Sequence, residues 1–416
     1  MGRKVLIVGA GQSGLQLALG LQQHGYDVTM MSARTGEEIR VGRVMSTQAM
    51  FHPALQRERD LGLNFWDDDA PSYERHIYTL RGPEGSVVLD YSGRFRDYAQ
   101  SVDQRVKMSG WLEEFENRGG RVVIHGVTVT DLDRLAPRYD LAIVAAGKGE
   151  LVNMFARDPA RSPFAEPQRS LAVVYVNGIQ PRPEHTSTPA VRMNFVTGLG
   201  EIYVLPALTT SGPCDIVLVE AIPGSEFDCF SGVRSGEEQL KRILMLMQKY
   251  TPWEYHRTGG VKLTDWAGYL SGRFAPVVRK PVGRLPSGGI ALGMADVVVA
   301  NDPVSSQGSN NAAHCAAIYQ QAILGHGDKP FGEDFMRQTF ESYWDFVRYS
   351  TMFSNAMLRP LPPHATELLV AGTHHQAIRD RFTEGFATPR DYFDWFMDPD
   401  RAAAYLAEVT GAGRLT

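Results

Sequence analysis

The sequence predicts an α/β fold, and three features carry that prediction. An apolar strand, Lys4 to Val8, runs directly into Gly9-Ala10-Gly11-Gln12-Ser13-Gly14 and then a helical pattern. A second apolar run, Tyr139 to Gly147, ends in small residues, as a buried parallel strand can. Between Ser170 and Glu220, strand-like runs follow one another with turn residues at short intervals, the pattern of an antiparallel sheet.

The first feature is the G-x-G-x-x-G turn of a dinucleotide-binding βαβ unit. Gly9 allows the tight turn, Gly11 lets a pyrophosphate approach the backbone, and Gly14 lets the helix lie close to the strand. Free N–H groups at the helix start, around Gln12 and Ser13, then hold the phosphates. The competing reading is a glycine-rich turn without a ligand. The helix from Gln12 to His24 places Leu15, Ala18 and Leu19 on one face, and Gly25 stops it. Asp27 to Met31 is the second strand. The usual fingerprint ends this strand in Asp or Glu for the adenosine ribose, but here it reads Met31-Ser32-Ala33-Arg34. Ser32 replaces one hydrogen bond, and Arg34 is placed to stack on adenine or pair with a phosphate. That departure weakens NAD more than FAD, which has other contacts along its length. Arg43 faces a phosphate or the flavin, or is a plain surface arginine. Gln56 to Asp60 is a charge run expected on a solvated helix face.

Trp111 to Glu116 fits a helix ended by Gly119-Gly120, and Arg121 to His125 is β-rich. Strands are expected at 171–176, 191–196, 201–205 and 215–220. Glu237 to Lys249 is a helix with Leu240, Ile243, Leu244 and Met247 inward, and Met245 and Met247 are expected as core filler. A second informative block starts at Gly289. Its strand ends at Gly293, and Asp296 follows where a ribityl chain or ribose hydroxyl would be held. The polar loop Asn301 to Ser309 then opens a helix from about Asn310 to Leu324, whose N-terminus carries partial positive charge. Aimed at the pyrimidine edge of a flavin, it stabilises the negative charge of the reduced ring. In order after the Gly9 turn and the Ala-Ala-Gly strand, this block signals a flavoprotein. Phe331 to Thr416 is mostly helical, with Tyr343, Trp344, Phe346 and Tyr349 packing on the body. His374-His375 is assigned a surface or cap role, since neighbours on a helix point about 100° apart.

At 416 residues the chain holds about two to three domains. Hydrophobic content of 43% and a net charge of −5 fit an ordinary enzyme, with no basic stretch to grip nucleic acid. No apolar run approaches the ~20 residues of a membrane span. A first strand beginning at Lys4 argues against a signal peptide. Cys214, Cys229 and Cys315 are odd in number and form no C-x-x-C pair, which speaks against a disulfide framework or zinc site. Small buried hydrophobes in a reducing, cytoplasmic setting are expected.

Taken together the chain resembles the flavoprotein monooxygenases that oxidise styrene or indole with reduced FAD. The resemblance runs nearly end to end. It is carried by Val8-Gly9-Ala10-Gly11, Tyr139-Asp140-Leu141 with Gly147-Lys148, Gly293 to Asp296, Asp302-Pro303-Val304 with Gln307-Gly308 and Asn310, and Phe382-Thr383-Glu384 with Pro389 and Arg390. Ser306 departs from the family's usual Gly. The resemblance implies a Rossmann-like FAD-binding domain (1–44, 93–165 and 280–330), an inserted antiparallel β-sheet substrate domain (45–92 and 166–279) and a helical C-terminal region (331–416).

It also implies a flavin C4a-hydroperoxide as oxygen donor, surrounded by Pro303, Val304 and Ser309, with no catalytic side chain and no metal. Gly147, Asp296, Pro303, Gln307, Gly308, Ser309 and Asn310 join the cofactor set. The substrate wall falls on Ser46, Gln48, Met50, Tyr73, His76 and Ala99. Ser46, Gln48, Met50 and Ala99 match the indole-preferring branch, while Tyr73 and His76 match the styrene-preferring one. Implied partners are an NADH-dependent flavin reductase, O₂ and a small aromatic substrate, with a homodimer as the candidate assembly. Self-contained aromatic hydroxylases carry an Asp-Gly motif where Ala146-Gly147 stands, and no second G-x-G-x-x-G is present, which speaks against a nicotinamide site. The rivals are a single-component NAD(P)H-dependent hydroxylase and a non-catalytic flavin-binding protein.

Overall fold

The computed structural model describes residues 2–147, 149–182 and 189–411, so Lys148 lies outside the described residues. In chain order the strands are β1 Lys4–Val8, β2 Asp27–Ser32, β3 Ser72–Arg81, β4 Val87–Gln100, β5 Arg121–Ile124, β6 Leu141–Val144, β7 Ser170–Asn177 and β8 Val191–Val196. They continue with β9 Gly200–Thr209, β10 Gly212–Ala221, β11 Lys262–Leu263, β12 Tyr269–Gly272, β13 Val277–Val278, β14 Val282–Arg284, β15 Ile290–Gly293 and β16 Val299–Ala300.

One sheet has the order β14-β15-β6-β1-β2-β5, parallel throughout except for the β14–β15 hairpin. Its central strands are buried on both faces, which is why Val5 to Val8 and Leu141 to Val144 read as unbroken apolar runs. Helix Gln12–Gln23 lies beside helix Gly308–Gly325, tied by Gln320 Nε2 donating to the Gly20 carbonyl at 3.3 Å.

The second sheet has eight strands in the order β11-β7-β10-β9-β8-β3-β4, with β12 also on β7. It is antiparallel except where β3 runs parallel to β8, with His76 opposite Val191. That pair joins the early hairpin to the later strands. Strand alternation then sorts the side chains. Val173, Tyr175, Tyr203, Leu205, Ile216 and Leu218 share one cluster with Phe51, Tyr73 and Tyr78. Val174, Val176, Ile202, Val204, Val217 and Val219 share the other with Ile243 and Met247 of helix Gly236–Tyr250. Each such buried aliphatic contributes about 1.5–3 kcal/mol of transfer free energy. β4 continues in this sheet to Gln100, past the expected boundary at 92/93.

The C-terminal helices close the second sheet. Helix Gln376–Ala387 lies against β4 so closely that a Cβ on Gly93 would stand 2.0 Å from Thr383 Oγ1 and 2.3 Å from the Arg379 carbonyl oxygen. Glu384 fixes the contact by accepting from His52 Nε2 at 3.0 Å and the Arg96 N–H at 2.9 Å.

Four sequence expectations need correction: Phe346 is exposed rather than packed on the body, Cys229 is only half-buried, and two more concern the 56–60 run and Met245. The 56–60 run is not a wholly solvated face, because Glu58 is buried and paired with Lys107 Nζ at 2.7 Å. Met245 is exposed rather than core filler, while Met247 is buried.

Candidate active site

The site is built first from glycine geometry. Gly9 has φ +120°, and a Cβ there would lie 2.7 Å from Ala145 C and Ala146 N. A Cβ on Gly14 would fall 2.1 Å from the Gly9 carbonyl oxygen, so only Gly lets helix and strand meet this closely. At Gly11 a Cβ would meet nothing within 4 Å. Gly11 is also the N-cap of helix Gln12–Gln23, which has no side-chain cap and no acidic residue in its first turn. Its first N–H groups are therefore left for an anion, and the cradle fits a pyrophosphate-bearing cofactor. The Gln12 side chain is spent elsewhere, donating to Glu58 Oε1 at 2.9 Å and Gln16 Oε1 at 3.2 Å. Gln12 and Ser13 are buried at this helix start.

Five more expected cofactor residues have these surroundings. A Cβ on Gly147 would be 2.9 Å from Asp296 Cβ, so the end of β6 and the turn after β15 converge. Asp296 is exposed on that turn. Ser32 is buried, its hydroxyl donating to the Arg34 carbonyl at 2.5 Å and accepting the Arg34 N–H at 3.2 Å. Those bonds close a local turn. Arg34 is exposed and reaches Met45 Sδ at 3.1 Å. Arg43 is exposed too, its guanidinium 4.7 Å from the Tyr269 ring centre.

The second half of the site is the start of helix Gly308–Gly325. The helix begins two residues earlier than expected, with Gln307 as N-cap, no side-chain cap and no acidic residue in its first turn. Before it, the turn Pro303–Ser305 is capped by Asp302, whose Oδ1 accepts the Val304 N–H at 3.2 Å. Ser306 sits at φ +56°, the left-handed conformation in which the family's Gly is at ease. A non-glycine residue there costs about 1–2 kcal/mol. Gln307 donates to the carbonyls of Ser305 at 3.1 Å and Phe386 at 2.8 Å. Asn310 donates to the carbonyls of Ala49 at 2.7 Å and Ser306 at 2.9 Å, and accepts the Phe51 N–H at 2.9 Å. Both amides thus hold the loop. Gly308 is exposed and Ser309 half-buried, with open space where a Gly308 Cβ would stand. What this helix start offers a flavin is backbone N–H and dipole.

Residues 42–51 form a strap between the two sheets. The Val44 N–H donates to the Ala267 carbonyl at 3.2 Å. Buried Arg105 holds the Gly42 carbonyl at 3.3 Å and the Asp265 carboxylate at 3.0 Å. Tyr175 Oη donates to the Ser46 carbonyl at 2.9 Å, and Gln48 Nε2 donates to Tyr175 Oη at 3.3 Å. Ser101 Oγ donates to the Gln48 carbonyl, and Met50 exchanges two backbone bonds with Gln100 at 2.8 and 3.0 Å.

The expected substrate residues divide by surroundings. Tyr73 and Ala99 are cross-strand partners in the aromatic cluster that also contains Phe51 and Tyr175. His76 is buried with its ring 4.7 Å from Phe95 and 4.9 Å from Phe386, and Nδ1 meets Tyr78 Oη at 3.2 Å. Burial lowers its pKa to about 3, so it is a neutral aromatic at any working pH. Tyr175 ties Ser46 and Gln48 to this cluster. Met50 packs instead with Ala54, Leu55 and Ala313, and its sulfur accepts Lys107 Nζ at 3.2 Å.

Sequence reasoning missed the acid group behind the Pro303 turn. Arg169 grips Glu201 with two bonds of 2.8 Å. Glu220 stands opposite Glu201 in the β9–β10 register, is fully buried, and neither carboxyl oxygen has a hydrogen-bond partner among the described residues. Burial, reinforced by the charges of Asp302 and Glu201, pushes Glu220 well above the carboxylate range, and burial raises Asp302 to about 6. Tyr203 Oη reaches the Val304 carbonyl at 3.3 Å from the same side. The available signal was a Glu amid apolar runs in two neighbouring strands.

Known proteins match this sequence. Residues 147–257 match a family described as the styrene monooxygenase A putative substrate binding domain. The styrene monooxygenase StyA of Pseudomonas fluorescens is 30% identical over 410 residues, covering 96% of this chain and 97% of the relative. That of a Pseudomonas species is 29% identical over 419 residues, covering 98% of each.

The chain belongs to the styrene monooxygenase family.

As a member it is a flavin-dependent monooxygenase, and membership implies FAD and a separate reductase. Among solved structures, a flavoprotein/dehydrogenase from Cytophaga hutchinsonii shares the fold at a TM-score of 0.68 and 13% identity, covering 99% of this chain and all of that one (100%). Among the described residues, no group of His, Cys, Asp or Glu is arranged to hold a metal, and no helix is long and apolar enough to cross a membrane.

Proposed function

We propose that this chain takes reduced FAD from a separate NADH-dependent flavin reductase and, with O₂, adds one oxygen atom across an electron-rich C=C bond of indole or a styrene-like alkene. The second oxygen atom leaves as water and the flavin is returned oxidised. When bound, the reduced flavin activates dioxygen; the residues of the chain bind, orient and exclude water. The Gly9–Gly14 turn and the N–H groups of the first helix hold the pyrophosphate, and the start of helix Gly308–Gly325 steadies negative charge on the ring. Residues 1–44, 93–165 and 280–330 would form the flavin domain, and 45–92 with 166–279 the substrate domain, β4 being shared between them.

The observation that carries this reading is the strap. Asn310 at the helix start bonds the backbone of Ala49 and Phe51, while Ser46 and Gln48 bond Tyr175 in the aromatic face of the second sheet. Flavin-facing and substrate-facing elements are therefore held in register by one short segment. The relatives are named for styrene; Ser46, Gln48 and Met50 favour indole, and Gln48 offers an acceptor for its N–H. Mixing the protein with anaerobically reduced FAD, then with oxygen and indole or styrene, should yield oxidised product without nicotinamide. Turnover that requires NAD(P)H bound to this chain would overturn the reading in favour of a single-component hydroxylase.

A further inference from the structure

We propose that Tyr175 is a specificity-determining residue, its hydroxyl fixing the Gln48 amide so that Oε1 is presented to a substrate carrying an aromatic N–H. The inference rests on the Gln48 anchor of the proposed function. It follows from counting protons and lone pairs. Tyr175 has one hydroxyl proton, and it is committed to the Ser46 carbonyl at 2.9 Å. Toward Gln48 the phenol oxygen is therefore an acceptor, and only the NH₂ end of the amide satisfies it, at 3.3 Å. Rotating the amide by 180° would set two acceptors face to face in a buried site.

The remaining contacts agree with this orientation. Ser46 Oγ donates to Gln48 Oε1 at 3.3 Å, leaving that oxygen a second lone pair. Gln48 is buried, and Ser101 Oγ holds its carbonyl, so backbone and side chain are both pinned. Tyr175 is itself rigid in β7: its N–H donates to the Gly268 carbonyl at 2.8 Å and its carbonyl accepts the Thr264 N–H at 3.0 Å. Burial pushes its ionisation far above the ordinary phenol range, so the hydroxyl proton stays in place. An indole-type N–H can use the free lone pair. A styrene-type alkene cannot, and neither can N-methylindole.

The test is a comparison of indole with N-methylindole in wild type, Tyr175→Phe, Gln48→Met and the double variant. Phe keeps the ring volume, and circular dichroism checks the fold. Two readouts are taken: kcat/KM with externally supplied reduced FAD, and equilibrium binding of both indoles to the purified chain. In each readout, Tyr175→Phe should lower the indole to N-methylindole ratio about fivefold to tenfold, chiefly through KM. Adding Gln48→Met should lower it no further, since both changes remove one interaction. Equal losses on the two indoles, or additive effects in the double variant, would overturn the assignment. A wild type that binds indole selectively yet oxidises nothing would instead sink the proposed function and leave the Tyr175 lock standing.

Discussion

Substituting His76 by Phe should make the protein more resistant to acid, by an amount the structure sets. His76 is buried among Phe51, Phe95, Phe386 and Tyr78, and burial takes its pKa from 6.5 to about 3. Its folded form stays neutral where its unfolded form takes a proton. Stability is therefore intact above pH 6.5 and is lost as pH falls from there toward about 3. Each pH unit below the unfolded value costs about 1.4 kcal/mol, so at about pH 5 the loss from this residue is about 2 kcal/mol. Phe cannot titrate, and any packing cost it brings is the same at both pH values. Urea unfolding followed by circular dichroism near pH 7.5 and near pH 5 gives the two stability differences. The variant should gain about 2 kcal/mol on wild type between them. His314, lowered to about 4 by burial, adds its own acid loss to both chains and cancels. A gap between the chains that stays constant with pH would refute the reasoning, and so would an NMR titration of His76 near its ordinary value.

Three further outcomes are expected. Gly14→Ala puts a methyl 2.1 Å from the Gly9 carbonyl oxygen and should weaken FAD binding by more than about tenfold in a fluorescence titration; unchanged affinity would remove the cradle. Lys107→Met leaves Glu58 buried without its cation and should cost about 3–5 kcal/mol in urea unfolding, whereas a cost below about 1 kcal/mol would mean that water reaches the carboxylate. Glu220→Gln keeps the shape of a neutral acid but cannot ionise. Because the folded pKa of Glu220 is raised, its contribution is full below the unfolded value of 4.5 and is lost as pH rises above it. The variant should match wild type near pH 4 and gain on it toward pH 8 in thermal melts, and parallel curves would count against a neutral Glu220.

The parts of this molecule that were legible in the sequence are those fixed by local geometry. The turn at Gly9 depends on three glycines within six residues, and the strands at 170–221 depend on alternation within each run. The side chains behaved differently, because their partners lie far along the chain. Glu58 looks solvated beside Arg57 and Arg59 until Lys107 is folded against it. The amides of Gln12, Gln307 and Asn310, typical of ligand-binding loops, are consumed by Glu58, Phe386 and Ala49. A polar residue next to a glycine-rich loop thus has two physical uses, gripping a ligand or gripping the loop. Only the position of its distant partner decides between them.

That distinction bears on how selectivity is set. The strap pairs with sheet backbone at Met50 and Gln100, and most of its other ties run through side chains: Arg105, Tyr175, Ser101 and Asn310. Those four side chains bond carbonyls of the strap, so the strap tolerates exchange of its own side chains but not loss of the groups that grip it. Changing the side chain of residue 46 or 48 leaves in place the carbonyls that Tyr175 and Ser101 grip; of the ties across to the sheet it can remove only the Gln48 amide bond to Tyr175 Oη. Asn310 carries any shift of the strap to the start of the helix Gly308–Gly325. Substitution of Tyr175 or Ser101, which frees a strap carbonyl, should therefore disturb flavin affinity more than substitution of residue 46 or 48 does.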